Sequence, residues 1–168
     1  MSIDAHRAAA PAAIPFALLT VSDTRTLDTD KSGLTAAELL TQGGMVVTAR
    51  RIVRDEPDAI RAAVLELLAT PARALYLTGG TGIAPRDRTP DTVAPLLERE
   101  LPGFGEIFRH LSFLEIGTAA ILSRALCGLR QGKVVFVTPG STGAVRLAVT
   151  RLVLPEVGHI LAEAGKTT

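Results

Sequence analysis

The chain has 168 residues, a net charge of +1 and 47% hydrophobic residues, of which few are aromatic. That length carries one domain with a sizeable core, and a core of Leu, Val, Ile and Ala suits α/β layers. Basic and acidic residues are intermixed, which excludes a nucleic-acid or membrane face; no stretch is long and apolar enough to span a bilayer, and one cysteine, Cys127, excludes an internal disulfide and suits a reducing cytoplasm.

Residues 1–14 are rich in Ala and Pro, with Asp4 and Arg7 breaking any long apolar run, so they read as a mobile tail and not as a secretory leader. Residues 15–168 then read as a single domain. Phe16 to Val21 is a buried strand ending in the polar loop Ser22-Asp23-Thr24-Arg25. A short helix over Thr35 to Gln42 is stopped by Gly43-Gly44, and Met45 to Val53 is a β-branched second strand. Pro57 opens a helix whose Ile60, Val64, Leu67 and Leu68 make one apolar face. Ala74 to Leu77 is the third strand, followed by helices over 90–100 and around Glu106 to Leu114, and by a short helix through Ile121, Leu122, Ala125 and Leu126. Lys133 to Thr138 is a fourth strand, and a largely covered helix runs from Ala144 toward Leu154, where Pro155 kinks or ends it.

Strands alternating with helices predict a three-layer α/β/α sandwich around a mostly parallel sheet. Ligands of such sheets collect beyond the carboxyl ends of the strands. Ser22-Asp23, Gly79 to Asp87 and Pro139 to Thr142 therefore converge on one rim.

The segment LTGGTGIAPRDRTPD, 77–91, is the most informative. Its glycines let backbone N–H groups approach a phosphate; Thr89 suits an N-cap and Pro90 the first helical position, and the Asp87 carboxylate stands beside that helix start. Such a set fits a magnesium-bound polyphosphate. It is not a Walker A loop, because no lysine follows its glycines, nor a dinucleotide fingerprint, because Ile83-Ala84-Pro85 stands where a third glycine is needed. Taken alone, GGTG also fits a tight turn feeding a helix. The three histidines show no metal-ligand spacing.

The segments SD at 22–23, DTDKSG at 28–33, RRIVRDE at 50–56, the 77–91 segment, ELPGFGEIFR at 100–109 and PGST at 139–142 together resemble the molybdopterin adenylyltransferases. These are the MogA and MoaB group, related to the gephyrin G domain; SDTR and PGST are closer to the MoaB branch. The resemblance implies an α/β fold that forms a homotrimer or hexamer and binds molybdopterin and Mg-ATP in one pocket. It also implies transfer of AMP to the terminal phosphate of molybdopterin, with release of pyrophosphate, and supply of the product to a downstream molybdate-insertion protein. The alternative is a non-catalytic molybdopterin-binding scaffold.

Asp55 and Asp87 match the family's catalytic aspartates, in roles of magnesium ligation or positioning. Without the resemblance, Asp55 reads as a residue preceding the helix at Pro57, and Asp87 as a turn carboxylate paired with Arg86 or Arg88. Ser22, Asp23 and Asp30 are expected near the pterin or its phosphate, Asp30 in a loop that closes over ligand; Asp23 also fits a turn cap and Ser32 a helix N-cap. Gly79, Gly80, Thr81 and Gly82, with Pro139, Gly140, Ser141 and Thr142, are expected to seat phosphate. Glu106 can accept from an aminopyrimidine edge or stand as a solvated helix residue. Ser123 and Arg124 offer a hydroxyl and a guanidinium to an anionic ligand, or Arg124 bridges subunits.

Overall fold

The protein is described here from a computed structural model covering residues 13–166. Of the tail expected over 1–14, residues 1–12 lie outside the described residues. Ile14 is already core: it is 2% exposed and its carbonyl accepts the Val46 N–H at 3.1 Å.

Four strands of one sheet run parallel, β2 at its edge: β1 (Pro15–Val21), β2 (Val46–Val53), β3 (Ala74–Thr78) and β6 (Lys133–Thr138). Two short strands, β4 (Arg99–Glu100) and β5 (Leu126–Arg130), complete it on one side as an antiparallel edge, giving the order β2-β1-β3-β6-β5-β4. The helices are α1 (Lys31–Gln42), α2 (Pro57–Leu68), α3 (Thr89–Val93), α4 (Pro102–Ile116), α5 (Thr142–Ala148) and α6 (Leu154–Ala164).

Strand alternation sorts the core into two layers. Phe16, Leu18, Tyr76, Val134 and Phe136 pack against α1, α5 and α6, whereas Ala17, Leu19, Leu75, Leu77, Val135 and Val137 pack against α2 and Val93 of α3. The apolar face expected for α2 is the one buried, with Ile60, Val64, Leu67 and Leu68 all inside. A third cluster, built on Phe108, Ala125, Leu147 and Ala148, fixes α4 beside α5. Among the described residues no helix is long and apolar enough to cross a membrane.

Several expected elements differ. Leu126 does not continue a helix: Gly117–Leu122 is a 3-10 helix, and Leu126 begins β5, paired with Val137 of β6. The helix expected over 90–100 ends at Val93, because Pro95 cannot donate to an α-helical ladder; the chain continues as a 3-10 turn, Ala94–Leu96, and then β4. Helix α1 starts at Lys31 and not Thr35, capped by the Asp30 side chain accepting from Gly33 N–H. Pro155 does not end the last helix. A π-helical turn, Val149–Val153, joins α5 to α6, and the Leu154 N–H reaches back to the Val149 carbonyl, so the ladder has already changed register where the proline lacks its donor.

The chain leaves β1 toward β2 on one side and continues from β3 toward β6 on the other. Loops after β1 and β3 therefore diverge and open a crevice at the strand ends, the position where such sheets hold ligands.

Candidate active site

Three loops meet at that crevice. The Gly79 N–H donates to the Thr138 carbonyl at 3.1 Å, and the Ser22 N–H to the Val53 carbonyl at 2.8 Å, tying β3 to β6 and β1 to β2 beyond their last pairs. Gly79 has φ +102°, and any side chain on it would run into the Val21 carbonyl, so this junction requires glycine.

Below the junction lies a cavity of about 330 Å³. One wall is polar backbone: Gly79 to Gly82 from the β3 loop, with Pro139, Gly140 and Ser141 from the β6 loop. Phe108 and Ser112 of α4, the apolar run Ile116, Ala119, Ala120 and Leu122, and Ser123 and Asp87 complete the lining. The cavity thus combines loop backbone with apolar side chains, a mixture that suits an anionic ligand carrying an apolar ring.

The carboxylates flank the glycine loop. Asp55 Oδ1 accepts the Arg88 N–H at 3.0 Å, and Asp55 Oδ2 lies 2.5 Å from where a side chain on Gly80 would begin. Asp87 Oδ2 stands equally close to Gly82 and accepts the Ala84 N–H at 2.9 Å, while the Asp87 N–H returns to the Ala84 carbonyl at 2.9 Å. Partial burial pushes the Asp55 carboxyl above the usual carboxylate range. The neighbouring Asp87 charge adds to that rise, and the Arg88 N–H with the Arg88 and Arg124 charges pulls it partly back.

Among the described residues no group of three or more His, Cys, Asp and Glu side chains could hold a metal ion. Magnesium does not need such a cage, since it keeps several waters and is taken up by one or two carboxylates together with substrate phosphates. Asp55 and Asp87 supply that number and repel each other until a cation intervenes. The Thr89 hydroxyl, which the sequence suggests as an N-cap, caps nothing: Arg88 holds the cap position, and Thr89 Oγ1 is buried without a hydrogen-bond partner on the same side of Gly80 as Asp55. Two carboxylates and an orphan hydroxyl at a glycine loop fit a hydrated magnesium. Helix α3 is a single α-helical turn, so its dipole adds little beyond that first turn.

The remaining expected positions divide. Ser22 and Asp23 sit at the rim but outside the cavity lining: Ser22 Oγ accepts from Thr24 and Arg25 N–H at 3.3 and 3.2 Å, and Asp23 Oδ1 accepts from Asp55 N–H at 3.2 Å. Arg86 pairs with Asp23 and not with Asp87. Ser141 caps α5, accepting from Ala144 N–H at 3.2 Å, and Thr142 is the first residue of α5, behind the lining.

Asp30 does not lie in a loop over the cavity. It is 3% exposed, accepts from Thr20 Oγ1, Ser32 Oγ and Gly33 N–H at 2.7, 3.0 and 2.9 Å, and faces Arg50 at 3.5 Å. It takes the N-cap place expected of Ser32, because its carboxylate is the group that can meet all four donors. Glu106 is exposed on α4, away from the cavity lining. Arg124 points its donors at the protein: Nε to Gly82 O at 2.9 Å, Nη2 to Asp87 O at 2.5 Å and Nη1 to both Asp91 oxygens at 2.9 Å. The apolar wall was not foreseen from the sequence; its signal there is the apolar run through Ile116, Ala119, Ala120, Ile121 and Leu122.

Known proteins share this architecture. A family model described as "Probable molybdopterin binding domain" matches residues 17–159. A protein of Halalkalibacterium halodurans named Molybdenum cofactor biosynthesis protein B is 54% identical over 166 residues, covering 97% of this chain and 97% of that protein. A crystal structure of a Molybdenum cofactor biosynthesis protein B is similar with a TM-score of 0.89 at 48% identity, covering 92% of this chain and 98% of the other. The tungsten cofactor synthesizing protein MoaB from Pyrococcus furiosus is similar with a TM-score of 0.84 at 36% identity, covering 94% of this chain and 100% of the other.

Proposed function

The chain belongs to the molybdopterin-binding domain family, and we propose that it acts in molybdenum cofactor biosynthesis by transferring AMP from ATP to molybdopterin. The observation that carries this reading is the placement of Asp55 against Gly80 and Asp87 against Gly82, two carboxylates on a glycine loop that lines a half-apolar cavity.

A phosphate monoester has a second pKa of about 6, so at neutral pH the terminal phosphate of molybdopterin is already largely a dianion. It needs no general base. One of its oxygens forms a bond to the α-phosphorus of ATP, the bond from that phosphorus to the α,β-bridging oxygen breaks, and pyrophosphate leaves with the electron pair. The obstacles are alignment and the piling up of negative charge. The apolar side chains Ala119, Ala120 and Leu122 offer contact to the pterin ring, and the Gly80–Gly82 and Gly140–Ser141 backbone, lining the same cavity, would receive the phosphate end. Asp55 and Asp87 would hold magnesium, which when bound offsets the charge on the triphosphate.

Purified protein given molybdopterin and Mg-ATP should release pyrophosphate only when both are present. Tight pterin binding without pyrophosphate would make it a carrier of molybdopterin; ATP binding indifferent to pterin would make it a general nucleotide module. We also take the exposed Phe113, Leu114, Ile116 and Ile121, 53, 67, 63 and 82% accessible, as a surface that a homotrimer or hexamer would cover, to be checked by sedimentation.

A further inference from the structure

We propose that Arg124 is a positioning residue for Asp87: its guanidinium sets the turn that carries the Asp87 carboxylate, and Asp91 holds the guanidinium in place. The kinetic part of this inference rests on the adenylyl transfer proposed above; the structural part does not.

Besides Arg124, the segment that carries Asp87 is held by the Arg88 N–H donating to Asp55 Oδ1 and the Thr89 N–H to the Gly80 carbonyl, each at 3.0 Å, and by the Arg86–Asp23 ion pair. Ile83, Ala84, Pro85 and Arg86 are all exposed, Ile83 by 70%. Within the segment, Asp87 and Ala84 exchange two hydrogen bonds that close a turn, which fixes the carboxylate relative to Ala84. Arg124 adds a reference that spans this turn from end to end. It binds the carbonyl before the turn, Gly82 O, and the carbonyl at its end, Asp87 O, on one rigid planar fork, so both ends are held at a set separation. Its own base is anchored, because the next residue, Ala125, is buried in the cluster between α4 and α5. The remaining edge of the fork meets the Asp91 carboxylate at 2.9 Å on both oxygens, and Asp91 stands on α3, which the buried Val93 fixes to the sheet. The four hydrogen bonds take up most of the donors a guanidinium carries, which leaves little for an anionic ligand. A lysine has a point charge and no fork, so it cannot span these acceptors.

The test compares wild type with Arg124→Ala, Arg124→Lys, Asp91→Asn and the Arg124→Ala/Asp91→Asn pair. Two quantities are measured: steady-state turnover of molybdopterin with Mg-ATP, and the hydrogen-exchange protection of the Ala84 amide that donates to Asp87. Positioning predicts that Arg124→Ala lowers kcat by about 100-fold, the cost of misplacing a group by roughly 1 Å, with both KM values within about threefold of wild type. Arg124→Lys should not restore it. Asp91→Asn should give part of the loss, the pair should lose no more than Arg124→Ala alone, and Ala84 protection should fall in step. A raised KM at unchanged kcat would overturn the inference, since Arg124 would then bind substrate directly. So would full Ala84 protection in Arg124→Ala. If wild type itself releases no pyrophosphate, adenylyl transfer fails, and the Ala84 protection alone decides whether Arg124 positions Asp87.

Discussion

Replacing Asp30 separates a structural carboxylate from a ligand-binding one. In Asp30→Ala, helix α1 loses its N-cap, worth about 1 kcal/mol, and the Thr20 and Ser32 hydroxyls lose an acceptor. The larger loss is electrostatic: removing one partner of a buried ion pair costs roughly 3–5 kcal/mol because the other charge stays behind. Arg50 retains 25% side-chain exposure, so its charge can turn partly to water and the lower end applies; with the lost cap the total is about 4 kcal/mol. For a domain of this size that lowers the melting temperature by roughly 8–16 °C. Asp30→Asn keeps an oxygen for the Gly33 N–H but sets an amide against Arg50, and should cost about half as much. Urea denaturation at neutral pH measures both. Folded Asp30→Asn, assayed well below its transition, should bind molybdopterin within about threefold of wild type, a change of under about 0.7 kcal/mol. A stability change under about 0.5 kcal/mol accompanied by lost binding would refute the reasoning and return Asp30 to the ligand.

Gly80→Ala puts a methyl 2.5 Å from Asp55 Oδ2 at a backbone φ of +62°; it should cost about 1–2 kcal/mol in strain and displace Asp55, seen as lost turnover with the fold intact by circular dichroism. Asp55→Asn should be more stable than wild type at neutral pH. The folded state holds a proton on Asp55 more tightly than the unfolded one, so the wild-type carboxylate is a burden above its raised pKa; the variant's advantage should shrink as pH falls through that value and vanish below 3.8. Thermal melts across pH give the sign, and an advantage that grows toward acid would refute it. Cys127 is 1% exposed and burial pushes its thiol well above the usual range, so an aromatic disulfide reagent should react only after denaturant is added. Prompt stoichiometric reaction in the native protein would show that β5 opens.

The parallel centre of the sheet was readable because Phe16–Val21, Ala74–Leu77 and Val134–Val137 are buried on both faces and so appear as apolar runs broken only by Thr20. The antiparallel edge was not. Leu126–Arg130 is a five-residue strand preceded by a 3-10 turn, and its apolar spacing with Ile121 and Leu122 imitates a helix. The start of α1 escaped for a different reason, since Asp30 caps it only with Thr20 and Arg50 around the carboxylate, which no local pattern records. At the site, glycines and carboxylates in loops announce themselves, and the segments 79–82 and 139–141 do line the cavity. The apolar wall from Ile116 to Leu122 does not, because an apolar run reads equally as core or as subunit interface. Arg124 was recognised as a polar group near the site, but its acceptors come from Gly82, Asp87 and Asp91, distant in sequence and joined only by the fold.

Adenylyl transfer is tested most directly by following the product. Wild type, Asp55→Asn and Asp87→Asn are incubated with molybdopterin and Mg-ATP, and adenylylated molybdopterin is measured by mass beside pyrophosphate and pterin binding. Wild type should form the two products in equal amounts. Both variants should fall by about 100-fold or more while still binding molybdopterin, the scale expected when a group that stabilises developing charge is removed. Tight molybdopterin binding by wild type with no adenylylated product, or undiminished turnover in either variant, would contradict it.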